Sequence, residues 1–336
     1  MNLILSLIII IAISYILVKA LEKAKISSEV TLIITGLIIG STVLKDYLVQ
    51  DHTRTILNLG NLALLVLMFI AGLESSWSSL YKEKKESALI AIFSFLTSFT
   101  LGFIVFYILT KSFTISFVVG ICMSITAEAT KADVLLDLKK LKSRVGAAMM
   151  GAGILDDIMG MLFFTIFILI VQADKISSYF FHHTLLILAI ISYFLGILIH
   201  KHIGREHKHV VKFEKILTIL LIPFFFITVG LNFNIRSLEL HPLIFPLIIV
   251  VSISGKFIGV FLTKFFLDLN WKKLYVIGWA MNSRGAIEIA LALIAFENNL
   301  IPVEIFSGLI IMALTTTLIF PFIIKSLIKN NKNIMK

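Results

Sequence analysis

Apolar stretches long enough to cross a lipid bilayer follow one another almost from end to end of this chain of 336 residues. A hydrocarbon core about 30 Å thick takes roughly 20 apolar residues per helical span. Inside it only helices and closed barrels satisfy their own backbone hydrogen bonds. Stretches of this length read as helices, so the chain is expected to be an all-α, polytopic membrane protein. Composition agrees, with 59% hydrophobic and 15% charged residues against about 45–50% and 25% in soluble domains. The first apolar segment lacks a basic n-region and a small-residue cleavage site, so it reads as a retained span and not a signal peptide. The one cysteine, Cys122, lies in an apolar stretch and offers neither a disulfide nor a thiolate metal site.

Polar clusters divide the chain into about eleven transmembrane helices near 3–20, 28–44, 57–73, 88–110, 113–139, 144–171, 183–200, 214–232, 242–264, 274–297 and 302–324. Basic residues alternate across these loops. After odd-numbered spans stand 22 of them, from Lys19, Lys23 and Lys25 through Lys82, Arg144 and Arg205 to Lys325, Lys329, Lys332 and Lys336. After even-numbered spans stand five: Lys45, Arg54, Lys111, Lys175 and Arg236. Cytoplasmic loops carry the Lys/Arg excess, so the N-terminus is expected outside and the C-terminus in the cytoplasm of a multi-pass cell-membrane protein. The net charge of +10 is thereby a topology signal, with some contact to anionic lipid, and not a nucleic-acid patch. Residues 1–336 read as a single transmembrane domain with no soluble regulatory domain.

The halves echo one another: Leu67–Glu74 reads LMFIAGLE and Phe225–Asn232 reads FFITVGLN. These segments lie in spans three and eight. An offset of five spans reverses direction, which is the pattern of inverted-topology repeats in secondary transporters.

Span six carries adjacent Asp156 and Asp157 within GILDD, roughly 18 Å from its cytoplasmic end at 1.5 Å per residue. Each ionised group at that depth costs at least about 2.5–3.5 kcal/mol. Two neighbours pointing about 100° apart around a helix are hard to neutralise with one structural ion pair. Carboxylate oxygens suit a hard alkali cation, and a proton competes for the same oxygens. Span five, VVGICMSITAEATKADVLLDL, is too polar in its middle for a lipid-facing helix. A break is expected near Thr126–Thr130, its carbonyls and hydroxyls completing a cation shell, while Glu128, Lys131 and Asp133 neutralise one another. Span ten weakens likewise at MNSRGAIE, where Arg284 and Glu288 are spaced to pair on one face. Lys256, deep in span nine, needs a carboxylate partner, with Asp156 or Asp157 available. The histidines around His200, His202, His207 and His209 read as an ordinary solvated loop in preference to a pH sensor.

Six segments in order carry a family resemblance: ITGLIIG, FIAGLE, GILDD, FFFITVGL, SGKFIGV and NSRGAIEIALA. Together they resemble the second branch of the monovalent cation:proton antiporter superfamily, which includes bacterial and archaeal sodium/proton antiporters and potassium-efflux transporters. The resemblance implies a homodimer, two crossing broken helices near 113–139 and 274–297, and an elevator-like core around the ion-site helix 144–171. It implies Asp157 as principal cation and proton carboxylate, Asp156 as its neighbour paired to a lysine, and Lys256 as that lysine. Thr126 and Glu128 would complete the sodium site, with Arg284 and Glu288 in a salt-bridge or gating role. The Asp-Asp plus Lys pattern is similar to members exchanging two protons per sodium, whereas potassium-efflux relatives usually show Gln-Asp. Three departures stand out. Thr126 is followed by Ala127 and Glu128 where the family usually has Thr-Ser, two spans between six and eight are missing from the usual twelve or thirteen, and no nucleotide-binding domain follows the last span.

The expected function is therefore sodium, or alternatively lithium, exchanged for protons by alternating access, with no enzyme activity and no cofactor. Potassium/proton exchange is the alternative. A channel would need a filter-like repeat, and a sodium-coupled organic-anion symporter a roomy polar pocket; the sequence offers neither.

Overall fold

The computed structural model describes residues 2–23, 26–75, 83–171, 180–204, 207–240, 242–330 and 335. Among the basic residues used for topology, Lys25, Lys82, Lys175, Arg205, Lys332 and Lys336 lie outside them. All regular structure among the described residues is helical. The principal helices are α1 (Leu3–Glu22), α2 (Ser28–Ser41), α3 (Thr53–Glu74), α4 (Lys84–Thr110), α5 (Phe113–Cys122), α6 (Glu128–Asp137) and α7 (Arg144–Val171). They continue as α8 (Phe180–His202), α9 (Lys208–Leu220), α10 (Ile222–Asn232), α11 (Ile244–Leu262), α12 (Trp271–Ala280), α13 (Ala286–Glu297) and α14 (Val303–Asn330). Among the described residues, six helical stretches are long and apolar enough to cross a membrane, and shorter apolar helices such as Ser28–Ser41 and Phe113–Cys122 accompany them.

Several helix ends follow from local chemistry. The side chains of Ser27, Ser112 and Asn270 cap the backbone N–H groups of Val30, Ile115 and Lys273, starting α2, α5 and α12. Lys111, at φ 54°, closes α4 in the left-handed conformation. The span read at 214–232 starts earlier, at Lys208, and is interrupted at Leu221, where Pro223 favours the first turn of a new helix over the interior of an old one.

The chain forms two compact units, Met1–Leu73 with Ile187–Glu239, and Glu74–Leu186 with Leu240–Lys336. In the first unit, helices meet backbone to backbone at glycines. A Cβ on Gly230 would stand against the Ile33 carbonyl and within 2.7 Å of the Leu37 nitrogen, so α10 and α2 have no room for a side chain there. The same holds for α8 on α3, where a Cβ on Gly196 would collide with the Phe69 carbonyl and lie 2.7 Å from the Leu73 nitrogen. Small residues at crossings allow this approach. His200 is not merely solvated: its Nδ1 lies 2.5 Å from the Leu73 carbonyl, tying α8 to α3.

In the second unit, Thr97 of α4 donates to the Gly255 carbonyl of α11 (2.8 Å) and Ser98 donates to the Met123 carbonyl (2.7 Å). Two helices of this unit are interrupted. Helix ends at Cys122 and resumes at Glu128; it ends again at Ala280 and resumes at Ala286. The first interruption lies a few residues before the expected one, which leaves Thr130 inside α6. The two interruptions cross, with the Ala127 N–H donating to the Ser283 carbonyl (2.9 Å) and the Ser283 hydroxyl donating to the Ala127 carbonyl (3.0 Å). Gly285 is small enough to pass Ala127: a Cβ there would lie 2.5 Å from the Ala127 Cβ.

Candidate functional site

Every charged side chain that is buried among the described residues lies in the second unit, around the crossing. Four are carboxylates, Glu128, Asp156, Asp157 and Glu288, and three are bases, Lys131, Lys256 and Arg284. Burying an ion without compensation costs several kcal/mol, so how these seven are partnered decides what the cluster can do.

Asp156 is fully engaged on one oxygen. Its Oδ2 accepts hydrogen bonds from the Thr126 hydroxyl (2.5 Å) and the Lys256 ammonium (2.6 Å). Lys256 comes from α11 and also donates to the Ser124 carbonyl, one of the groups freed where α5 stops. One lysine thus ties together α7, α11 and the first interruption. Of the two aspartates available to Lys256, it takes Asp156.

Asp157 differs although it is next in sequence and only 2% exposed. Neither Lys256 nor Thr126 hydrogen-bonds it, and its Oδ1, like the Oδ1 of Asp156, has no hydrogen-bond partner among the described residues. Glu128, at the first turn of α6, is 6% exposed, and neither of its carboxylate oxygens has a partner either. In the expected neutralisation among Glu128, Lys131 and Asp133, Glu128 takes no hydrogen-bonded part among the described residues. Lys131 donates to the Met149 carbonyl of α7 (3.3 Å), and Asp133 is exposed. The reason is the position of the break: helix resumes at Glu128, so Glu128 and Lys131 sit one turn apart on the face that packs against α7.

Arg284 also departs from a simple pair with Glu288. Its Nε stands 3.7 Å from Glu288 Oε2, while its two terminal nitrogens turn to the other interruption. One terminal nitrogen donates to the Ile125 carbonyl and more weakly to that of Cys122 (3.4 Å). The other donates to the Met123 carbonyl (2.7 Å) and the Ser252 hydroxyl (2.5 Å). The C-terminal end of a half-helix carries orphan carbonyls and the negative end of a dipole, and a guanidinium with five donors satisfies both. Thr317 of α14 in turn donates to the Arg284 carbonyl (2.7 Å). Both Glu288 oxygens are without hydrogen-bond partners among the described residues.

The second half-helices α6 and α13 start at Ala127 and Gly285, neither of which caps with its side chain. Each has a glutamate in its first turn, Glu128 and Glu288, where the dipole favours a negative charge.

Reading the sequence missed Ser124, Ser252 and Thr317 as members of this network. Ser252 had a usable signal, since it stands four residues before Lys256 on one helix face. The Ser124 carbonyl and the Thr317 hydroxyl had none, because their partners are remote in sequence.

The transmembrane family of sodium/hydrogen exchangers matches this chain over residues 8–210 and 189–330. The chain is similar to the sodium/proton–potassium antiporter GerN of Bacillus cereus, with 22% identity over 87% of this chain and 88% of GerN. It is also similar to a sodium/proton antiporter of Enterococcus hirae, with 23% identity over 79% of this chain and 82% of that protein. Its fold is like that of the sodium/proton antiporter MjNhaP1 from Methanocaldococcus jannaschii, with a TM-score of 0.68 at 16% identity, covering 98% of both chains.

Proposed function

This chain belongs to the sodium/hydrogen exchanger family, and from that premise we propose that it exchanges a monovalent cation, sodium or lithium ahead of potassium, for protons. The observation that carries the reading is the unequal partnering of the two adjacent aspartates. Each has an Oδ1 without a hydrogen-bond partner among the described residues, but the Oδ2 of Asp156 is held by Lys256 and Thr126, whereas neither of these hydrogen-bonds Asp157. The Asp157 carboxylate is where a cation or a proton has most to gain, and the two cannot occupy it together. Glu128 extends the site from a second element, and Asp156 with Thr126 forms its fixed wall. Arg284 and Glu288 hold the two interruptions in register.

Alternating access by an elevator-type movement completes the proposal. The seven candidate residues Thr126, Glu128, Asp156, Asp157, Lys256, Arg284 and Glu288 belong to one compact unit and can travel as a body. An inverted repeat is supported by the two echo glycines. Gly72 packs against α8 and Gly230 against α2, so spans three and eight each meet the span that precedes the other in its own half. We take the 336 residues as one transmembrane antiporter domain working as a homodimer in lipid.

Reconstituted into vesicles under an imposed pH gradient, the protein is expected to dissipate that gradient on addition of sodium or lithium. Potassium is the second reading, supported by the departure at Ala127–Glu128 from the family's Thr-Ser and by the potassium in GerN's name. A faster response to potassium than to sodium would establish it. Dissipation no greater than in empty vesicles would overturn exchange altogether.

Orientation has its own test. A cysteine introduced after Lys332 is expected to react only with reagents on the cytoplasmic side, and one near Gln50 only from outside. The reverse labelling would invert the assignment of inward and outward access.

A further inference from the structure

Lys131 is the buried base that the exchange scheme leaves without a task. It is wholly buried, and its one hydrogen bond among the described residues is to the Met149 carbonyl at 3.3 Å. Lys256 is committed to Asp156, and Arg284 stands beside Glu288 while binding carbonyls. What remains is two carboxylates, Glu128 and Asp157, and one ammonium.

These three converge on Gly153. A Cβ built there would collide with Lys131 Nζ and lie 2.9 Å from Glu128 Cγ and 3.2 Å from Glu128 Oε1. Asp157 follows Gly153 by four residues, one turn further along the same face of α7. Glu128 and Lys131 are three residues apart on α6, so both reach α7 from one helix face. The ammonium therefore lies alongside two carboxylates, three of whose oxygens (Glu128 Oε1 and Oε2, Asp157 Oδ1) have no hydrogen-bond partner among the described residues. Gly153 is the gap in α7 that lets it in.

We infer that Lys131 is a tethered counter-cation, which balances Glu128 and Asp157 when the site is empty and which an entering alkali cation must displace. This rests on the reading of Asp157 and Glu128 as cation ligands, and adds to it a determinant of affinity. A monovalent cation has the ammonium's charge, so exchanging one for the other keeps the buried charge constant while the lysine swings aside on its four-carbon stem. Without the lysine, the empty pair would hold two like charges side by side and would bind a cation more tightly. With it, affinity is set by the difference between the substrate ion and an ammonium fixed at high local concentration.

The test reads binding without transport. Any ligand of the folded state raises thermal stability with a midpoint set by its affinity, so sodium titrations of the purified protein's melting temperature give that midpoint. Lys131→Met keeps the apolar stem and deletes the charge, and is expected to shift the sodium midpoint to lower concentration by at least about tenfold, the scale for one adjacent charge. Glu128→Gln is expected to shift it the other way by a similar factor. Should Lys131→Met not fold, Lys131→Gln, which keeps a polar head for the Met149 carbonyl, is read in its place with the same expectation. A midpoint in the folded Lys131 variant equal to or higher than the wild type's overturns the inference, leaving Lys131 a structural residue. If instead the wild type responds to none of sodium, lithium or potassium, the functional reading itself falls.

Discussion

Asp157→Asn is expected to reduce cation/proton exchange to the level of empty vesicles while leaving the protein folded. The amide has nearly the shape of the carboxylate but neither binds a proton in this pH range nor offers two anionic oxygens to a metal ion. Stability is expected to hold or rise, because the Asp157 carboxylate is only 2% exposed and one of its oxygens has no protein partner that the change would orphan. Loss of exchange with retained stability separates this residue from Asp156. There an amide would face the Lys256 ammonium and the Thr126 hydroxyl, and both folding and function would suffer. Flux of ions and melting temperature, measured on the same preparation, check both halves. Normal exchange in a folded Asp157→Asn protein would move the transport carboxylate elsewhere, with Glu128 the next candidate.

Much of the fold was legible because the physics that dictates it is one-dimensional. A span is a length of apolar chain, so the extent of α7 was read at its observed ends, 144–171, from loop polarity alone. The breaks were legible in kind: a polar run such as SITAEAT cannot be a lipid-facing helix. Their position was not, since helix resumes at Glu128 only because Ala127 is drawn into hydrogen bonds with Ser283, a residue 156 positions away. The interruption at Leu221 was missed for a different reason. Pro223 stands in an apolar run that reads equally well as one span, and only its preference for the first turn of a helix marks the boundary.

The site was legible where electrostatics leaves few options. A lysine deep in an apolar helix must find a carboxylate, and Lys256 lies 2.6 Å from Asp156. Sequence spacing found only part of what Arg284 does. Four residues from Glu288, it suggested an ion pair, and Nε stands 3.7 Å from Glu288 Oε2, but the terminal nitrogens answer a separate hydrogen-bonding demand. The end of α5 exposes carbonyls that nothing local can satisfy, and a guanidinium reaches several of them at once. Glu128 and Lys131 were read as a local charge pair without the surface they share, because spacing along a helix says nothing of the neighbouring element. The absence of a side chain at Gly153 is what draws both toward α7.

Lys256→Gln distinguishes a lysine that takes part in exchange from one that only holds the fold. The ammonium contacts Asp156 and the Ser124 carbonyl from within a fully buried environment. Its removal leaves Asp156 with the Thr126 hydroxyl alone, and breaking a buried pair by deleting one partner typically costs about 3–5 kcal/mol. A clear fall in melting temperature is thus expected whichever role holds, and stability cannot decide between them. Charge movement can. If Lys256 neutralises Asp156 in the empty site and gives up a proton when the cation arrives, each cycle moves two protons against one sodium, and flux in the wild type responds to membrane potential. The glutamine has no proton to give, so exchange in the variant is expected to be lost or to become insensitive to potential. Sodium flux measured at imposed potentials in both proteins is the check. Potential-independent flux in the wild type would refute the two-for-one cycle. Electrogenic flux surviving in the variant would leave Lys256 structural, and the proton would then have to be carried by the carboxylates themselves, with Glu128 and Asp157, three of whose oxygens have no hydrogen-bond partner among the described residues, the place to look.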